Sequence, residues 1–199
     1  MLTDMRTVTV YRAALAALAE HGPRRVGVTH IARLAGTNRT FVYRNWAGPQ
    51  ALLKDATLHE LRHVLHKARE VPEQLPPTPC LAVRTVVRAA GLLREHPVVG
   101  AMARTDPALT YAAVLRPTTP WHQLAWRWLT EHVTGHLPRG VEQDTTTLAV
   151  LTTALPYALT PPQNPPDPVS ERAAVDRRLG QALHACLGAP LNCPDCESS

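Results

Sequence analysis

The chain has 199 residues, of which 45% are hydrophobic and 19% charged, enough apolar material for a buried core and too little charge for a disordered chain. Its net charge of +5 is unevenly spread: residues 1–70 carry 11 Lys and Arg against 5 Asp and Glu, a net +6, whereas residues 71–199 carry 10 against 11, a net −1. No apolar run reaches the ~18–20 residues of a bilayer span and an acidic residue near the start argues against a signal peptide, so a cytoplasmic protein with no membrane contact is expected, its cysteines serving as thiols or ligands rather than as disulfides.

Runs of β-branched and aromatic residues suited to strands are absent, and the 19 prolines read as punctuation between helices, so the fold is predicted to be all-α. In residues 7–20, Val10, Ala13, Ala14, Ala17 and Leu18 recur at helical spacing until Gly22-Pro23 stops the helix. A second, short helix carries Val28, Ile31, Ala32 and Leu34 and ends at Ala35-Gly36, where glycine suits a tight left-handed turn. Asn38 can cap a third helix over 39–45 by accepting from its free backbone amides. Gly48-Pro49 opens a long helix with Leu53, Ala56, Leu61, Val64, Leu65 and Ala68 inward.

The proline-rich stretch 71–79 is the predicted boundary between modules. Beyond it, helices are expected near 80–95, 97–104, 106–115, 119–137, 142–160 and 169–187, followed by an irregular tail. The organisation is therefore an N-terminal helical unit at 1–48, a connecting helix at 49–70, a larger helical module at 71–188, and a cysteine-containing tail at 189–199.

Two short helices joined by a glycine turn and braced by a third form a helix-turn-helix, whose second helix enters the major groove and reads base edges there. Between Asn38 and Trp46 the chain offers Asn38, Arg39, Thr40, Tyr43, Arg44 and Asn45 for phosphates or bases, with Val42 and Trp46 as anchors and no acidic residue. Arg24, Arg25 and Arg33 add positive charge, and the helix starts at Val28-Thr29 and Pro49 present free amides to phosphate.

The segment 13–53, with Ala13-Ala14-Leu15, Ala19-Glu20-His21-Gly22, Val28, Ile31-Ala32, Ala35-Gly36, Tyr43-Arg44 and Ala51-Leu52-Leu53, resembles the N-terminal domain of tetracycline-repressor (TetR) family regulators without a gap. The resemblance implies a three-helix DNA-binding domain, a larger helical domain that takes a small-molecule effector, and a homodimer formed through the helices near 142–160 and 169–187. It further implies a repressor whose two reading helices meet successive major grooves of a near-palindromic double-stranded operator, with no enzymatic activity and no cofactor. Asn38 stands at the family's usual capping serine or threonine, Tyr43 at its tyrosine and Arg44 at its histidine, all near phosphates. Arg39 matches a commonly basic position. Thr40 and Phe41 fall where a small residue and a threonine are common, so Phe41 either meets a thymine methyl or packs inward. Thr37 replaces a buried valine, and Pro49 stands where a phosphate-binding lysine is common, removing one contact.

His59-Glu60-Leu61-Arg62-His63 matches the H-E-x-x-H zinc pattern, but it lies on the connecting helix with no third-ligand motif behind it and reads as a solvated polar face. Cys193-Pro194-Asp195-Cys196, with His184 and Cys186 upstream, offers four potential zinc ligands, which makes a metal- or redox-responsive regulator the alternative reading; another is a helical interaction protein that reads no specific site. Cys80 is most simply a small residue near a helix start. Of the aromatic residues in the second module, Trp121 and Trp128 follow the core stripe, while Tyr111, Trp126 and Tyr157 are the candidates for lining an effector site.

Overall fold

The computed structural model describes residues 4–70, 79–136, 142–160 and 168–188, and all regular structure among them is helical. The proline-rich stretch 71–78 and the tail 189–199 lie outside the described residues. The order is α1 Met5–His21, α2 Val28–Leu34, α3 Arg39–Asn45, α4 Pro49–Ala68, α5 Pro79–Arg94, α6 Pro97–Thr105, α7 Pro107–Leu115, α8 Pro120–His132, a 3-10 turn at Thr134–His136, α9 Gln143–Leu159 and α10 Pro168–Cys186. Proline takes the first position of six of these helices, where its fixed φ suits the helix and its missing N–H is not needed.

Side chains close several starts: Asn38 accepts from the Phe41 amide, Asp106 from that of Leu109, Thr119 from that of His122 and His96 from that of Val98, each satisfying an amide that the helix itself leaves free. The helix expected over 119–137 stops at His132. The chain there folds so closely on itself that a Cβ on Gly135 would lie 2.5 Å from the Thr130 carbonyl oxygen, and the Thr134 and Thr147 hydroxyls bond at 2.7 Å, tying the short turn to α9.

Buried apolar side chains gather in two clusters. The first holds Val10, Ala14, Leu18, Ile31, Val42, Trp46 and Leu52 from α1 to α4, and α6 completes it with Val98. The second joins Leu65 and Ala68 of α4 to Val83, Val86 and Ala90 of α5, Trp128 and Leu129 of α8, Val150 and Leu151 of α9, and Leu179 and Leu183 of α10. One helix, α4, therefore contributes to both clusters, and α6 packs on α1. The three N-terminal helices are consequently held to the rest of the molecule through α4 and α6.

Candidate nucleic-acid interface and internal cavity

α3 is fastened from below and bare above. Val42 is fully buried and Trp46 nearly so, and the Trp46 indole N–H donates to Asp55 Oδ2 at 3.2 Å, pinning the end of α3 to α4. Asn38 Oδ1 accepts from the Phe41 amide at 2.8 Å, as capping requires. Gly36, at φ 61°, takes the left-handed turn that lets α3 leave α2. Arg39, Thr40, Tyr43 and Arg44 are exposed, with Tyr43 61% exposed, an unusual degree for so large an apolar ring. Thr29 is exposed on α2, beside the amides that open that helix.

Other expected contacts are engaged within the protein. The Asn45 amide donates to the Phe41 carbonyl at 2.7 Å. Phe41 turns inward, packing against the first cluster, with its ring edge-on to Trp46. Arg24, although 84% exposed, donates through Nε and Nη2 to Asp106 Oδ2, the shorter contact being 2.8 Å; that pairing and the cap bond from Leu109 hold the Asp106 carboxyl below its ordinary value. A residue not anticipated from sequence is Arg6: its guanidinium lies 4.1 Å over the Phe41 ring and donates to Thr37 Oγ1 at 3.1 Å. It clamps the turn between α2 and α3, and the 31 residues that separate it from Thr37 carry no local pattern to reveal the contact.

The H-E-x-x-H residues disperse rather than converge. His59 packs against Tyr11 with the rings tilted and their centroids 5.2 Å apart, while His63 and His66 are exposed. Glu60 accepts from His96 Nε2 at 3.1 Å, so the motif is not a uniformly solvated face. Burial first, and then the nearby Asp55 charge, push the Tyr11 phenol up.

The proposed zinc set is likewise split. His184 is buried, Cys186 shares a 3.5 Å contact with Thr153, and Cys193 and Cys196 lie outside the described residues. Positions two apart on a helix point to opposite sides, so α10 holds His184 and Cys186 apart. Among the described residues the one grouping with metal-like spacing is Glu20, His21 and His30, whose ligand atoms fall within 4.8 Å of one another. Arg33 donates to His30 Nδ1, which leaves the ring proton on Nε2 and no lone pair there for an ion.

Between α4 and the helices of the second module lies a cavity of about 160 Å³. Its walls are hydrocarbon almost throughout, including Leu61, Val86, Leu93, Val99, Met102 and Leu155, with Trp121 and Trp128 as the aromatic faces. The two tryptophans expected in the core thus border the cavity, whereas Tyr111, Trp126 and Tyr157 do not; their neighbours Thr110, Ala125 and Ala158 do. The reason is rotational: one residue along a helix turns the side chain by about 100°, and only the packing of α7, α8 and α9 fixes which side faces inward.

Residues 10–56 match the model of the bacterial regulatory proteins of the tetR family. A protein described as an uncharacterized HTH-type transcriptional regulator of Mycobacterium tuberculosis strain H37Rv is 29% identical over 102 residues, which are 51% of this chain and 52% of that protein; the chain thus matches about half the length of this relative. A tetR-family transcriptional regulator of Streptomyces coelicolor has a similar structure, with TM-score 0.59, 22% identity, and coverage of 94% of this chain and 82% of the other. The regulator FadR of Bacillus subtilis, solved in complex with stearoyl-CoA, is similar at TM-score 0.55 and 13% identity, covering 92% of this chain and 98% of the other. At such identities the structural likeness speaks for the fold. The segment 10–56, which contains the helix-turn-helix that closes around Gly36, is thus similar in sequence to the tetR family of bacterial regulatory proteins, and the chain shares its fold with solved members of that family.

Proposed function

We propose that this protein is a ligand-responsive transcriptional repressor that binds a near-palindromic operator as a homodimer. The observation that carries the reading is the outer face of α3, where Arg39, Thr40, Tyr43 and Arg44 stand clear of the protein with no carboxylate among them. Such a rod fits a major groove, its arginines and tyrosine meeting phosphates or base edges. Two of them bound to successive grooves would sit about 34–36 Å apart.

The dimer is assigned to α9 and α10. Thr145, Leu148, Thr152 and Pro156 form an exposed, uncharged stripe along α9, and Ala173, Gln181 and Ala185 are exposed on α10. Half-exposed Leu148 at the middle of that stripe is the natural anchor for a second copy. The effector is assigned to the internal cavity, because its walls include residues of α4 and α6, the two helices that hold the N-terminal unit. A ligand that prefers one spacing of these helices selects one separation of the reading heads, which is all that allosteric release requires.

The test is retention of an operator selected from random duplexes in a gel shift. Arg44→Ala and Tyr43→Ala should abolish retention while sedimentation still reports the dimer. Unchanged retention would remove both residues from the interface, and equal salt-dependent binding to every duplex would leave a basic interaction module in place of a repressor.

A further inference from the structure

From the cavity walls we infer that the ligand is a compact, uncharged, hydrocarbon-rich molecule with one hydrogen-bond donor, such as a short-chain alkylphenol, and that Glu60 is the residue that selects it. The inference rests on the reading of this cavity as the effector site and adds the chemistry of what enters it.

Size comes first. A cavity of about 160 Å³ is near the volume that admits a single benzene ring in an engineered apolar cavity, roughly 150 Å³. The space therefore suits one ring with a short substituent. Charge comes second. Among the described residues the wall holds no lysine or arginine, and Glu60 is its only carboxylate. A ligand carboxylate would enter an apolar space with no counter-charge on its wall and with a carboxylate already there, which disfavours it on both grounds.

Polarity comes third. The polar groups on the wall are few: the Trp128 indole N–H is buried with no hydrogen-bond partner among the described residues, and most of the others are engaged. The Trp121 indole donates to Thr57 Oγ1 at 3.1 Å, and the Thr110 hydroxyl donates to the Asp106 carbonyl. His96 accepts from the Val98 amide at Nδ1 and faces Glu60 with Nε2, so both its nitrogens are used and the ring is the neutral tautomer that donates to the carboxylate. Glu60 takes this bond on Oε1, and its other oxygen has no hydrogen-bond partner among the described residues. The wall thus offers a carboxylate oxygen as acceptor, held in place by a histidine that is itself fixed as the cap of α6. A ligand hydroxyl donating to that oxygen would make a charge-assisted bond, about twice as strong as a neutral one.

Trp121 and Trp128 border the space, so the indole emission of the full-length protein reports occupancy without DNA. Titrations with 4-ethylphenol, ethylbenzene and 4-ethylbenzoate separate the three requirements. Saturable quenching is expected with 4-ethylphenol, binding about tenfold or more weaker with ethylbenzene, and none with 4-ethylbenzoate. Glu60→Gln should bring the phenol and the hydrocarbon to within about threefold of each other, and Ala90→Leu, which fills the space, should abolish both responses. Tighter binding of the benzoate, or an unchanged preference for the phenol in Glu60→Gln, would overturn the inference. Quenching by none of the three would overturn it as well. Failure of the repressor reading shows separately, as ligand quenching that leaves operator retention in a gel shift unaltered.

Discussion

Asn38 shows how much one side chain can decide at the reading helix. α3 has only seven residues, too few to be stable alone, and its start depends on the 2.8 Å bond from the Phe41 amide to Asn38 Oδ1. Asn38→Ala should lower stability by about 1 kcal/mol in urea unfolding and weaken operator binding further, since the fraying begins beside Arg39; Asn38→Ser should restore most of both. Arg6 acts on the same helix from outside. Its guanidinium covers Phe41 and holds Thr37, so Arg6→Ala should cost about 0.5–1 kcal/mol, whereas Arg6→Lys, without the planar fork that serves both partners, recovers only part. Equal unfolding midpoints for all three proteins would show that the clamp contributes nothing. The cap was legible because capping is local and three residues long; the clamp was not, because it joins residues that only packing brings together.

Among the elements, the link between the N-terminal unit and the second module rests on the junction of α6 and α7. Asp106 ends one helix and caps the next, and it also receives Arg24 from the loop after α1. Close by, Gly22 sits at φ 73°, and a Cβ there would come 3.0 Å from the Thr105 hydroxyl. Gly22→Ala should therefore destabilise on two grounds, backbone strain and steric conflict, by about 1–3 kcal/mol in total. The Asp106 carboxyl has a lowered folded-state value, so its contribution is fully present above the unfolded carboxyl range and is lost as the pH falls through the folded value. Asp106→Asn keeps an oxygen to cap Leu109 but removes the charge. The unfolding midpoints of the wild type and this variant should differ at neutral pH and converge in strong acid; a gap that persists there would assign the difference to the cap instead.

At the scale of the molecule, the proposed dimer can be separated from the fold itself. Leu148 is half exposed on α9, outside both buried clusters. Leu148→Glu should leave the helical content and the thermal unfolding cooperative, yet convert the dimer to monomer in sedimentation and reduce operator affinity at least tenfold, since one reading head must then bind without its twin. A variant that stays dimeric would move the interface away from this stripe. Among the described residues no helix is long and apolar enough to cross a membrane.

Read alone, the residues determined the helices, the glycine turn and the resemblance of the N-terminal segment to a known family. Helical spacing, proline and glycine stops, and capping side chains all act within a few positions of one another, so linear order is enough to carry them. The ends of most helices were legible to within a residue or two; the one expected over 119–137 ran short because Gly135 folds against Thr130, a contact between backbones that composition does not announce. Only the tertiary structure decided that Glu60 faces a cavity, that Trp121 and Trp128 rather than Tyr111, Trp126 and Tyr157 wall it, and that Arg24 is tied to Asp106. The physical reason is that a helix presents every side of itself to something, and which side meets solvent, core or cavity is settled by how its neighbours pack around it.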